Sequence, residues 1–172
     1  MAFGYVEELA LRYFEKKHYL VIPNIRFQLK KRIIGRKVAG WSDIDMIALS
    51  INELLIVQCK SFIGTAKSEK IANDITNWFK YTELFLKEDS NWKKWVKGRS
   101  ITKYLIVDHT VKKTEVSLKE KDIKVLYYGD LLKELINILK SGEARKGKED
   151  DAIIRLLCAM IDKKMLNQKM FV

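Results

Sequence analysis

The chain has 172 residues, 48% of them apolar, which fits one folded domain with a modest core and excludes a disordered segment. Lys and Arg outnumber Asp and Glu by 33 to 22, a net charge of +11, so an anionic partner, nucleic acid first among them, would offset the self-repulsion. A Lys-rich soluble surface with no specific partner is the plainer alternative.

The only cysteines, Cys59 and Cys158, lie too far apart in sequence for a CxxC metal site and make no disulfide framework. No apolar run approaches the roughly 18 residues of a membrane span, and the first ten residues carry charge where a signal peptide would be apolar. A cytoplasmic protein with no membrane association is expected.

In chain order, Phe3 to about Lys17 reads as an amphipathic helix with Phe3, Val6, Ala10, Tyr13 and Phe14 on one face. Leu20-Val21-Ile22 starts a strand running towards Phe27, and Pro23 suggests an edge or irregular position. Lys30, Lys31, Arg32, Arg36 and Lys37, between glycines, read as a basic hairpin tip suited to phosphates. Two apolar runs, Asp45 to Leu49 and Leu54 to Val57, flank a β-turn at Ser50-Ile51-Asn52-Glu53. Ser68 to Lys87 is a long helix. Strands follow at Ile101 to Val107 and Ile123 to Tyr128, then a helix from Leu131 to Leu139 capped by Asp130. A polar stretch leads to a last amphipathic helix, Ala152 to Leu166, within residues 150–167. The sum is one α/β domain over residues 1–172, a mixed sheet of about five strands flanked by helices in the order α-β-β-β-α-β-β-α-α.

The informative stretch is Ser42-Asp43-Ile44-Asp45-Met46-Ile47-Ala48-Leu49 followed by Leu54-Leu55-Ile56-Val57-Gln58-Cys59-Lys60. If the turn makes a hairpin, the start of the first strand lies beside the end of the second, so Asp45, Gln58 and Lys60 converge. Gln58 and Lys60, two apart, share a face. A carboxylate, a second oxygen ligand and an ammonium group suit phosphodiester cleavage around Mg²⁺ (or Mn²⁺), which takes oxygen ligands and activates water. Each residue also has a plainer role. Asp45 could cap a turn, and Lys60 could be a solvated strand end. Gln58 directly after Leu-Leu-Ile-Val is harder to set aside, because a buried amide needs partners.

This pattern resembles the PD-(D/E)XK nuclease superfamily in its QxK form, found among Mrr-type restriction enzymes and relatives of archaeal Holliday junction resolvases. The resemblance covers about residues 3 to 80. It implies a restriction-endonuclease-like core and a metal-dependent deoxyribonuclease, an endonuclease acting on duplex or branched DNA. The family's acidic residue falls on Asp45, its second-motif ligand on Gln58 and its lysine on Lys60. Gln58 stands where Glu is common, and Ile44 where the naming Pro would be. A neutral ligand should weaken metal binding, which keeps a second reading open: a catalytically weakened module on the same fold that holds DNA or a partner protein.

Glu7-Glu8-Leu9-Ala10-Leu11-Arg12-Tyr13-Phe14 resembles the family's first helix, which often carries a metal-shell glutamate. On a wheel of about 100° per residue, Glu7 falls at the border of the apolar face and Glu8 on the solvent side, so Glu7 is favoured. Its plainer role is a helix N-terminal acid. Asp43, Glu8 and Tyr81 are outer candidates around the site. Tyr81 lies one turn after Asn77, an imperfect match to the Gln-xxx-Tyr helix of RecB-like nucleases. Lys93, Lys94, Lys97 and Arg99 interleave with Trp92 and Trp95, a pattern that could hold single-stranded nucleic acid or simply cover the core. The apolar stripe of the last helix either covers the sheet or pairs with a second copy in a homodimer.

Overall fold

The computed structural model describes residues 4–29, 40–62, 68–110, 112–141 and 151–166. The elements run α1 (Tyr5–Lys16), β1 (Leu20–Leu29), β2 (Gly40–Leu49), β3 (Glu53–Phe62), α2 (Ser68–Glu88) and a single turn α3 (Lys93–Val96). Then come β4 (Ser100–His109), α4 (Lys112–Lys119), β5 (Ile123–Tyr127), α5 (Tyr128–Lys140) and α6 (Ala152–Asp162). The five strands form one mixed sheet in the order β1-β2-β3-β4-β5. The first three are antiparallel neighbours, and β3, β4 and β5 are parallel. The α/β arrangement expected from the hydrophobic pattern is therefore present.

The sheet has a core on each face. Central β3 is buried from Leu54 to Cys59 without a break, as a strand covered on both sides must be. On one face Val6, Ala10 and Phe14 of α1 pack with Met46, Val57 and Cys59, closed by Leu131 and Leu135 of α5 and Ile154 of α6. On the other, Ala72, Phe79 and Leu86 of α2 and Leu118 of α4 cover Ile44, Ile47, Ile56 and Leu105. Trp78 donates its indole N–H to Ser42 Oγ at 3.0 Å, pinning α2 to β2. Pro23 sits on edge strand β1, where a missing backbone donor can face outward.

Three expectations are corrected. Helix α4 was not foreseen between the last two strands, because only Thr114 and Leu118 of its eight residues are buried and the apolar stripe is thin. The helix expected from Leu131 begins earlier, at Tyr128 with Tyr127 as N-cap, so Asp130 lies in its first turn and not at the cap. Its charge there still suits the helix dipole. The last helix closes at Asp162, short of Leu166.

Candidate active site

The site is set by a break in strand alternation. Ile22 pairs with Ile47 and Ile25 with Ile44, and all four face α2 although each strand's pair is three residues apart. Side chains alternate with period two, so both strands invert their facing between these pairs. Between them the Pro23↔Met46 pair is kept, and the pairing then skips Asn24, whose φ of 53° is left-handed, and Asp45. Asn tolerates that conformation better than most residues.

β2 also parts from β3 at this point. Their pairing runs from Leu49↔Leu54 to Met46↔Val57 and stops there. One step further would set Asp45 against Gln58. In place of a ladder bond, the Cys59 backbone N–H donates to Asp45 Oδ2 at 2.6 Å. A carboxylate thus caps the exposed edge of β3 where β2 leaves it.

Burial is the largest influence on Asp45 and pushes its pKa up. The Cys59 N–H pulls it down, the Glu7 charge raises it, Lys60 lowers it and Asp43 raises it, with a net rise to about 6. Glu7, Lys60 and Asp43 therefore lie close enough to act on Asp45. Glu7 is half-buried on the first turn of α1, and its Oε2 accepts the Gly4 N–H at 2.8 Å. The helix-capping role and a place beside Asp45 coexist in one side chain. Lys60 is exposed at the end of β3.

Gln58 is 8% exposed, and its Oε1 is buried without a hydrogen-bond partner. An orphaned buried acceptor costs about 1–3 kcal/mol, so it marks a place where a donor or a cation belongs. Cys59, next to it, is a core thiol. Burial first, then the charges of Asp45 and Glu7, push its pKa up and keep it protonated.

The outer candidates separate. Asp43 stays near the site but exposed, 4.0 Å from Arg26 across the β1–β2 pair. Glu8, half-buried where the wheel puts it on the solvent side, binds Arg12 at 2.9 Å, in a cluster where Arg12 also meets Glu15 and Asp151. Tyr81 lines a cleft of about 650 Å³ between the β1–β2 pair and the end of α2. Arg99 is a structural bolt: its Nε donates to the Ser50 carbonyl at 2.8 Å and an Nη donates to the Trp95 carbonyl at 2.9 Å. Its neighbour Ser100 pairs with Glu53 at the start of β3, seven residues from Lys60 and roughly 23 Å along the strand. Lys93, Lys94 and Lys97 are exposed on the turn leading to it. Lys30, Lys31, Arg32, Arg36 and Lys37 lie outside the described residues.

Two features escaped the sequence. The Asp45–Cys59 bond left no trace in residue types, and Arg26, which reaches both Asp43 and the ring of Trp41, stood as one cation among many. Among the described residues no three His, Cys, Asp or Glu side chains converge as a metal cage. The candidate donors are two carboxylates, Asp45 and Glu7, and the Gln58 amide oxygen, and hard oxygens of this kind are the donor chemistry that Mg²⁺ takes. No helix among the described residues is long and apolar enough to cross a membrane.

No family model matches the sequence, and no curated protein matches it. In structure the chain is similar to the small subunit (R.BspD6I2) of the heterodimeric restriction endonuclease R.BspD6I. The TM-score is 0.50 and the identity 16%, over 94% of this chain and 86% of that one. At that identity the likeness concerns the fold: a mixed five-stranded sheet with flanking helices, a restriction-endonuclease-like architecture.

Proposed function

We propose that this chain is a metal-dependent deoxyribonuclease, an endonuclease for duplex or branched DNA. One observation carries the reading. Asp45 is held at the parting of β2 and β3, within electrostatic reach of Glu7 and Lys60, and Gln58, whose buried oxygen has no hydrogen-bond partner, is the first residue of β3 past the last β2 pair. Asp45 and Gln58, with Glu7 from α1, would hold Mg²⁺ or Mn²⁺. Bound there, the ion supplies Lewis acidity and a water of lowered pKa.

The chain's own groups do the rest. The Cys59 N–H fixes the Asp45 carboxylate so that it need not reorganise. Gln58 contributes an oxygen with no charge, which leaves the site less anionic and so more tolerant of an approaching phosphate. Lys60, exposed at the rim, can meet a non-bridging phosphate oxygen or orient the attacking water. The net charge of +11 draws the DNA in. The similar structure is one subunit of a heterodimeric restriction endonuclease, and that likeness of fold supports the DNA-facing reading.

The test is cleavage of plasmid, single-stranded and branched DNA with Mg²⁺ or Mn²⁺ and with EDTA. Lys60→Ala and Asp45→Asn are each expected to lower the rate by about 10²–10³-fold while leaving DNA affinity in EDTA within a few-fold. The neutral Gln58 favours a second reading, a DNA-holding module of the same fold. Tight DNA binding with no metal-dependent cleavage of any substrate would select it.

A further inference from the structure

Trp41 is 61% exposed, so it gives little to the core, yet it is held in place. The Arg26 guanidinium lies over its ring at 5.1 Å from the centroid. An aromatic ring beside a cation is the usual platform for a nucleobase near a phosphate. Trp41 and Arg26 are among the residues that line the cleft of about 650 Å³, within the usual range of small-molecule sites. Phe27 and Phe85, stacked at 4.8 Å and 22°, add a rigid apolar wall. Gln28 and Asn91 bring amide groups able to pair with a base edge, and Asp89 accepts the backbone N–H groups of Asn91 and Trp92, which orders the turn that carries them.

The charges decide which part of a nucleotide enters. Carboxylates of Glu88 and Asp89 line the cleft, which disfavours a phosphate inside it. The Arg26 cation stands at Trp41, where a backbone phosphate would pass. Trp41 precedes Asp45 by four positions on β2, so their Cα atoms lie within roughly 14 Å.

We propose that this cleft is a stacking subsite for an unpaired nucleobase close to the scissile phosphate, with Trp41 and Arg26 as its platform. The inference rests on the nuclease reading and narrows its substrate to DNA with unpaired nucleotides near the cut, such as a flap, gap or junction.

The test is binding by the full chain in EDTA, so that cleavage plays no part. Fluorescence anisotropy compares a blunt duplex with the same duplex bearing a short unpaired extension, and with a matching RNA extension. The wild type should prefer the unpaired DNA extension by about tenfold, one stacked base's worth. Trp41→Ala should bring that preference to about one, with blunt-duplex affinity and the thermal midpoint unchanged, and Trp41→Phe should restore most of it. A wild type without preference, a Trp41→Ala chain that keeps it, or equal losses on both substrates would each overturn the subsite. A stronger preference for the RNA extension would overturn the DNA assignment. Failure of the nuclease reading shows elsewhere: absent metal-dependent cleavage with the binding preference intact.

Discussion

Asp45 holds a charge where solvent reaches poorly, and the fold is less stable for it. Its folded pKa, about 6, stands above the ordinary 3.8. A carboxyl raised on folding binds its proton more tightly in the folded state. The stability it contributes is therefore full below about pH 4 and is lost as pH rises through 6. In metal-free protein the loss should be about 1–3 kcal/mol between these limits. Asp45→Asn keeps an oxygen for the Cys59 N–H and removes the half-buried charge. It should raise the thermal midpoint at pH 7.5 by roughly 5 °C and flatten the dependence between pH 4 and 7, as read by thermal scans in EDTA. An unchanged midpoint would mean that water reaches Asp45 freely. Gln58 poses the complementary case. Gln58→Glu adds a charge to the donor set and should tighten Mn²⁺ or Mg²⁺ binding by roughly tenfold in calorimetry. Unchanged affinity would remove Gln58 from the ligand set. Asp45, Gln58 and Lys60 were legible because two apolar runs with a turn between them place a start beside an end. The helical wheel favours Glu7 over Glu8, which it puts on the solvent side, but both are half-buried, Glu7 with its charge acting on Asp45 and Glu8 paired with Arg12. The inversion at Asn24 and Asp45 was not legible, because a strand apolar on both faces carries no alternation from which a slip could be read.

At the scale of elements, apolar periodicity located what is thickly buried and missed what is thin. β2 and β3 announced themselves by apolar runs, and α2 by apolar residues at helical spacing. α4 has two buried residues, and charge dominates the rest. The basic tract from Lys93 to Arg99 shows how one composition can hide two roles. Arg99 is half-buried and holds the β2–β3 turn to α3 through two backbone carbonyls, whereas Lys93, Lys94 and Lys97 are exposed. Cation type offers a hint only in retrospect, since Arg carries the fixed fork that such bridging uses. Arg99→Ala should therefore cost about 1–3 kcal/mol of stability, because it leaves the Ser50 and Trp95 carbonyls without this donor. It should leave the salt dependence of DNA binding no flatter than Lys97→Ala does. Urea unfolding and anisotropy titrations at several salt concentrations read the two effects separately. A stable Arg99→Ala chain with weakened DNA binding would return Arg99 to the DNA-facing set.

At the scale of the whole molecule, the C-terminal helix decides between a subunit closed on itself and one that pairs. Its apolar stripe was legible in sequence, but a stripe does not name its partner. In the structure α6 lies against α5, with Ile154 and Leu157 buried in the α1-side core and Ile153, Cys158 and Ile161 packed at its margin. Asp151 caps the helix by accepting the Ile154 N–H at 3.0 Å and also meets Arg12 of α1 at 2.5 Å. These contacts make α6 part of the core layer. Burial of Ile154 and Leu157 alone is worth about 3–6 kcal/mol, a large part of the 5–15 kcal/mol typical of a whole domain. A chain ending at Ser141 should therefore unfold or lose much of its cooperative transition in circular dichroism. Among the described residues of this segment, Leu156, 60% exposed, and Met165, 59% exposed, are the large apolar groups that remain outside. Two side chains are a small fraction of the 1,200–2,000 Å² that a stable interface buries, roughly. The intact protein should then be a monomer by light scattering at micromolar concentration, and Leu156→Glu should leave its mass and stability unchanged. A dimer that Leu156→Glu converts to a folded monomer would establish the opposite, and would place the outer face of α6 on a two-fold axis.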